Sequence, residues 1–122
     1  MTALVWVQNI AFLIHILAII GLMTLLLMQI RKPVRRIHPG ALHSALTALL
    51  AGLVMVGVRT PLNSEDPDRW PLLDNGRIGI KFTILLVILI LGYRNVKKKE
   101  VKNSIWIAMI ALTTANILIA LF

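Results

Sequence analysis

The chain has 122 residues, 58% of them hydrophobic and only 15% charged, with a mean hydropathy of +0.85. A soluble domain carries about a quarter charged residues, so this chain lacks the polar surface a soluble core needs, and its main solvent is lipid. A net charge of +8 would suggest nucleic acid in a soluble protein, but here it fits a positive-inside bias and attraction to anionic phospholipid, with no nucleic-acid partner. The lack of cysteine excludes disulfides, thiolate metal sites and cysteine nucleophiles.

The first predicted element is an apolar helix over residues 3–28, stopping at Gln29-Ile30-Arg31-Lys32-Pro33. The sequence before it has neither the basic region nor the cleavage site of a signal peptide, so this segment is expected to stay in the mature protein. The second helix is expected over 40–58, ending at Arg59-Thr60-Pro61. The third is expected over 75–93, with Asp74-Asn75 as its N-cap, and the fourth over 104–122. Pro33, Pro39, Pro61, Pro67 and Pro71 all fall between these segments, where a missing amide donor is harmless. The fold class is therefore all-α: a single four-transmembrane-helix bundle.

The loop after helix 1 carries Arg31, Lys32, Arg35 and Arg36, and the loop after helix 3 carries Arg94, Lys97, Lys98, Lys99 and Lys102. Nine of the 13 basic residues thus share one side, which should be cytoplasmic, leaving both termini outside (N-out/C-out). The opposite side has Arg59, Arg69, Arg77 and Lys81 beside Glu65, Asp66, Asp68 and Asp74. Trp6 and Trp70 would anchor the outer interface, and Tyr93 and Trp106 the inner one.

Helix 2 is expected to be the packing centre. Gly40, Ser44, Ala48 and Gly52 recur every four residues as a small-residue stripe, with Ala41 and Ala45 beside it, and such stripes let helices approach closely in lipid. Helix 4 carries a weaker stripe in Ala108, Ala111 and Ala115, while helices 1 and 3 present mostly Leu and Ile, suited to lipid or another subunit.

Polar groups at membrane depth are the functional candidates. Lys81 falls about 10 Å inside the outer edge of helix 3, with Arg77 one turn above it. Either both snorkel outward and pair with the acidic loop, or Arg59, Arg77 and Lys81 line a cationic recess for a lipid headgroup, a quinone-like oxygen or a partner's carboxylate. His15 lies about 20 Å from the cytoplasmic edge and His43 only about 5 Å. They are too far apart to share a metal, and each is read as an interhelical hydrogen-bond donor, as are Thr113, Thr114 and Asn116. No metal site and no cofactor is expected. The carboxylates lie in the outer loop or, as Glu100, in a lysine run, so paired-acid catalysis has no candidate and an enzyme is not expected.

Ile14-His15-Ile16, Pro39-Gly40-Ala41-Leu42-His43, and the run from Arg77-Ile78-Gly79-Ile80-Lys81-Phe82 to Gly92-Tyr93-Arg94-Asn95 resemble four-span proteins of the copper-resistance-D and SirB type. That likeness implies a metal role. The general layout also resembles small four-span integral membrane proteins of actinobacteria, some of which are accessory subunits of the cytochrome c reductase–oxidase respiratory supercomplex. This second resemblance implies a non-catalytic subunit of a membrane complex in the bacterial plasma (inner) membrane, with other membrane subunits and anionic phospholipid as partners. The alternative is a stand-alone carrier or binding protein for a small anion, copper or haem.

Overall fold

A computed structural model describes residues 3–122 and is all-helical over those residues. Its four helices are α1 (Ala3–Leu27), α2 (Pro39–Glu65), α3 (Asn75–Asn95) and α4 (Asn103–Leu121), and each is long and apolar enough to cross a membrane. Each helix packs on its neighbour in sequence, α4 closes the ring on α1, and the diagonal pairs make no close backbone approach.

The second helix corrects the expected boundary. It begins at Pro39, where a proline's fixed φ suits the first helical position. It then runs through Pro61 to Glu65, about 40 Å in all. Pro61 removes one amide donor, to the carbonyl of Gly57, and Gly57 is exposed with open space around it, so the helix continues. Two of the prolines expected between segments are thus helical. At α3 the expected cap forms: the Asp74 carboxylate accepts hydrogen bonds from the amides of Gly76 (2.9 Å) and Arg77 (3.3 Å).

The α1–α2 pair makes the most extensive interface. On α1 the inward positions are Gln8, Ala11, His15, Ala18, Leu22 and Leu26. On α2 they are Ala41, Ala45, Ala48, Gly52, Met55, Arg59 and Leu62. The α2 positions alternate spacings of four and three throughout, and those of α1 do so up to Leu22 before a further step of four, the seam of a coiled coil, here antiparallel. Small residues set its closeness. A Cβ added at Gly40 would lie 3.1 Å from Leu25 Cδ1, and one at Gly21 3.2 Å from Ser44 Oγ. The stripe of Gly40, Ser44, Ala48 and Gly52 therefore lies along α1, which turns Ala11, Ala18 and Gly21 towards it rather than a uniformly Leu/Ile face. On α4 the buried face is Trp106, Met109, Thr113 and Asn116. The expected alanine stripe is not buried: Ala111 is exposed, and Ala108 and Ala115 are half-buried.

The main apolar core fills only one half of the bundle. Its helical members lie within Ala18–Leu26, Ala41–Ala48, Leu85–Leu89 and Trp106–Met109, joined by Ile37 and Val101 from the two basic loops. Gly92 of α3 sits where a Cβ would collide with the end of the Leu42 side chain, so glycine lets α2 and α3 close without displacing Leu42.

The same end is fastened by Arg35. Its Nη1 donates to Asn103 Oδ1 (2.7 Å), its Nη2 to the Ile30 carbonyl (2.9 Å) and its Nε to the Gln29 carbonyl (3.2 Å). Its guanidinium stacks 4.3 Å from the Trp106 ring centroid, and its carbonyl accepts from Val101 N (2.8 Å). Trp106 is 6% exposed and donates Nε1–H to the Leu26 carbonyl (2.8 Å). Trp106 is thus a core residue tying α4 to the end of α1, not the expected interface anchor, because its indole N–H meets the Leu26 carbonyl, which the last turn of α1 engages only through a 3.3 Å bond from Gln29 N. Trp6 and Tyr93 are exposed, at 58% and 55%.

Candidate functional site

The half of the bundle next to the acidic loop has a different interior. Val5, Ala11, Ala51 and Leu62 are buried there but stand outside the main core. Among them lie Gln8, His15, Arg59, Lys81, Thr113 and Asn116.

His15 is half-buried, and its Nδ1 stands 2.7 Å from the Ala48 carbonyl of α2. A carbonyl oxygen can only accept, so the proton is on Nδ1 and the neutral ring keeps its lone pair on Nε2. The absent side chain at Gly52 leaves room for the ring, since a Cβ there would lie 3.5 Å from its Cε1. Lys81, on the diagonal helix α3, is half-buried and close enough for its charge to act on His15, while the charge of Arg77 acts in turn on Lys81.

Three buried polar atoms here have no partner: Gln8 Oε1, Asn116 Oδ1 and Arg59 Nε. Gln8 and Asn116 are only 6% and 7% exposed. Leaving such an atom unsatisfied costs about 1–3 kcal/mol, so each calls for a water, lipid or ligand atom from outside the chain. Continuing the α1–α2 register from His15 and Gly52 by one heptad sets Gln8 level with Arg59, an acceptor and a donor both unmet.

Of the two alternatives for Lys81 and Arg77, pairing with the acidic loop does not occur among the described residues. The nearby carboxylates serve the backbone instead, Asp74 as the α3 cap and Asp66 Oδ1 accepting from Arg69 N (3.3 Å). Arg77 is exposed and Lys81 half-buried, so the two do not share one environment. Arg59 is half-buried and lies 5.3 Å from the Trp70 ring centroid, with Arg69 at 5.1 Å from the same ring. Arg59 also lines a recess of about 250 Å³ with Val56, Thr60, Leu72, Leu73, Asn75 and Ile78.

Other expectations are corrected. His43 is exposed rather than bonded between helices, because its position lies off the inward seam of α2. Thr113 donates to the Met109 carbonyl of its own helix (2.8 Å), as a hydroxyl buried in a helix commonly does. Thr114 is exposed. Asn116 is buried as interhelical glue would be, yet its Oδ1 finds no donor. His15 and His43 are not brought together, and no group of three or more metal-ligating side chains gathers among the described residues.

Two residues with structural roles escape the sequence reading, and only the first had a legible signal. Gln8 stands one heptad before His15 and so shares its face. Arg35 counts in the sequence only as one charge among several. Comparison with family models, curated proteins and solved structures finds no match. These side chains can bind a ligand through cations and hydrogen bonds.

Proposed function

We propose that this chain is a non-catalytic accessory subunit of a larger bacterial membrane complex, a respiratory electron-transfer supercomplex. In this reading it sits in the plasma membrane with its basic loops cytoplasmic and both termini outside. One observation carries it: Arg59, Arg77 and Lys81 lie towards the acidic-loop end with no salt bridge to a carboxylate among the described residues, while Asp66 and Asp74 accept from backbone amides. Cations at membrane depth must snorkel, pair or line a polar space. With no internal counter-charge, they suit an anionic group brought by a neighbouring subunit or by phospholipid.

A second reading, a stand-alone carrier or binding protein for a small anion, copper or haem, is favoured by the unpartnered oxygens of Gln8 and Asn116 and the free Nε2 of His15. Because the apolar core closes the basic-loop half, such a ligand would enter and leave at the acidic-loop end.

The deciding experiment is Lys81→Met read two ways. The accessory-subunit reading expects unchanged melting of the isolated protein and loss of co-purifying membrane proteins. Loss of stability in isolation would favour an internal role for Lys81. Unchanged melting and unchanged partners would reduce Lys81 to a snorkelling side chain and remove the reading's support.

A further inference from the structure

The recess at Arg59 has a shape and chemistry of its own. It lies between the later turns of α2 and the first turn of α3, with Leu72 and Leu73 from the connecting loop. Its lining divides into apolar Val56, Leu72, Leu73 and Ile78 and polar Arg59, Thr60 and Asn75, with no acidic residue. Arg59 Nε is buried and without an acceptor, and Trp70 flanks the same guanidinium. A ring against a guanidinium leaves its N–H edge free for an oxyanion. An unmet donor beside apolar walls calls for an acceptor that is anionic on one side and hydrocarbon on the other.

Depth supports the same ligand. The bilayer's hydrocarbon layer is about 30 Å thick, and α2, at about 40 Å, outreaches it by roughly two turns. Arg59 precedes the end of α2 by about 9 Å, so with the start of α2 at the opposite face it falls near the boundary between acyl chains and headgroups. Leu72, 64% exposed in a loop, offers apolar surface at that boundary.

We propose that this recess binds the phosphate of an anionic membrane lipid. Arg59 anchors the phosphate, Thr60 and Asn75 stand beside the headgroup, and Val56, Leu72, Leu73 and Ile78 receive the first methylenes of a chain. The proposal rests on the cationic end described above and gives one of its three cations a ligand class. A soluble phosphate could satisfy Arg59 but would leave the apolar wall unused.

The test is native mass spectrometry of the full-length protein released from nanodiscs of equimolar phosphatidylglycerol and phosphatidylcholine. Both lipids carry the phosphate, but phosphatidylcholine adds a choline cation that Arg59 repels, so the wild type should retain phosphatidylglycerol over phosphatidylcholine by about tenfold. Arg59→Gln should bring the ratio near unity, and so should Thr60→Phe, which fills the recess from an exposed position while keeping the guanidinium. Arg77→Gln should keep the preference. Circular dichroism melting checks each fold, and if Arg59→Gln does not fold, Thr60→Phe decides alone.

Absence of a preference in the wild type, or its survival in a folded Arg59→Gln or Thr60→Phe, overturns the proposal. Displacement of the lipid by inorganic phosphate alone would assign the recess to a free oxyanion and overturn the lipid source. Loss of a co-purifying protein in Arg59→Gln, without any lipid preference in the wild type, would make the recess a protein contact and equally overturn it. Lys81→Met should keep the lipid preference whatever it does to co-purification, so this proposal and the subunit reading fail separately.

Discussion

Substituting Arg35 separates the geometry of a guanidinium from its charge. The wild-type side chain reaches Asn103 Oδ1, the Ile30 carbonyl and the Gln29 carbonyl while stacking on Trp106. A hydrogen bond to a charged group contributes about 1.5–3 kcal/mol when well shielded. Arg35 is only half-buried, so about 0.5–1 kcal/mol for each of the three bonds is the better scale. The stack adds about 0.5–1 kcal/mol. Arg35→Ala should therefore cost about 2–4 kcal/mol. Arg35→Lys keeps the charge and room for one bond but loses the fork and the planar stack, and should still cost about 1–2 kcal/mol. The assay is reversible unfolding in mixed dodecylmaltoside and sodium dodecyl sulphate micelles, followed by circular dichroism. Trp106→Leu and the double variant complete a cycle, with about 0.5–1 kcal/mol of coupling expected from the stack. If Arg35→Lys unfolds with the wild type, the fork has no energetic role and charge alone explains the residue.

Gly92→Ala should destabilise by about 1–3 kcal/mol, because its Cβ meets Leu42 in a packed interface, and Leu42→Ala should recover part of the loss in the double variant. Ala48→Leu should cost a similar 1–3 kcal/mol at a fully buried seam position, whereas Gly52→Ala, whose Cβ would make ordinary contact with His15, should change thermal stability little. A wild-type melt for Ala48→Leu would show that the α1–α2 seam is not close-packed. Since the chain has no cysteine, single introduced thiols report orientation cleanly. Asp68→Cys should react with an impermeant maleimide on intact cells and Lys98→Cys only after permeabilisation, and the reverse pattern would invert the topology.

The spans were legible because four apolar runs long enough for a bilayer leave little else for the chain to do, and the Asp74 cap follows from a short acceptor placed before such a run. The end of α2 was not legible at Pro61, since a proline stops a helix only where the lost bond and the ring clash are not absorbed, and exposed Gly57 lies four residues before it. Trp106 reads as an interface anchor from its position near a span end. Only the approach of α1 reveals the carbonyl that draws it inward. Arg35 is hidden for the same reason, because Asn103 and Trp106 lie far along the chain. Of the candidate cations, their common location could be read from the spans. That Asp66 and Asp74 accept from backbone amides, and that no carboxylate pairs with these cations among the described residues, required the fold.

The uneven core also gives the bundle a mechanical polarity. At one end the apolar cluster, the Arg35 fastening and the Trp106 bond hold α1, α2 and α4 to one another. At the other, polar side chains with unmet bonds replace that cluster. Local opening follows the least densely packed contacts, so the helices would splay like the jaws of a pair of tweezers, with the fulcrum at the clustered arginines and lysines and the tips at Gln8, Arg59 and Lys81. A guest held between those tips would do more than fill space, because a small contact far from a fulcrum restrains the whole length of the arms.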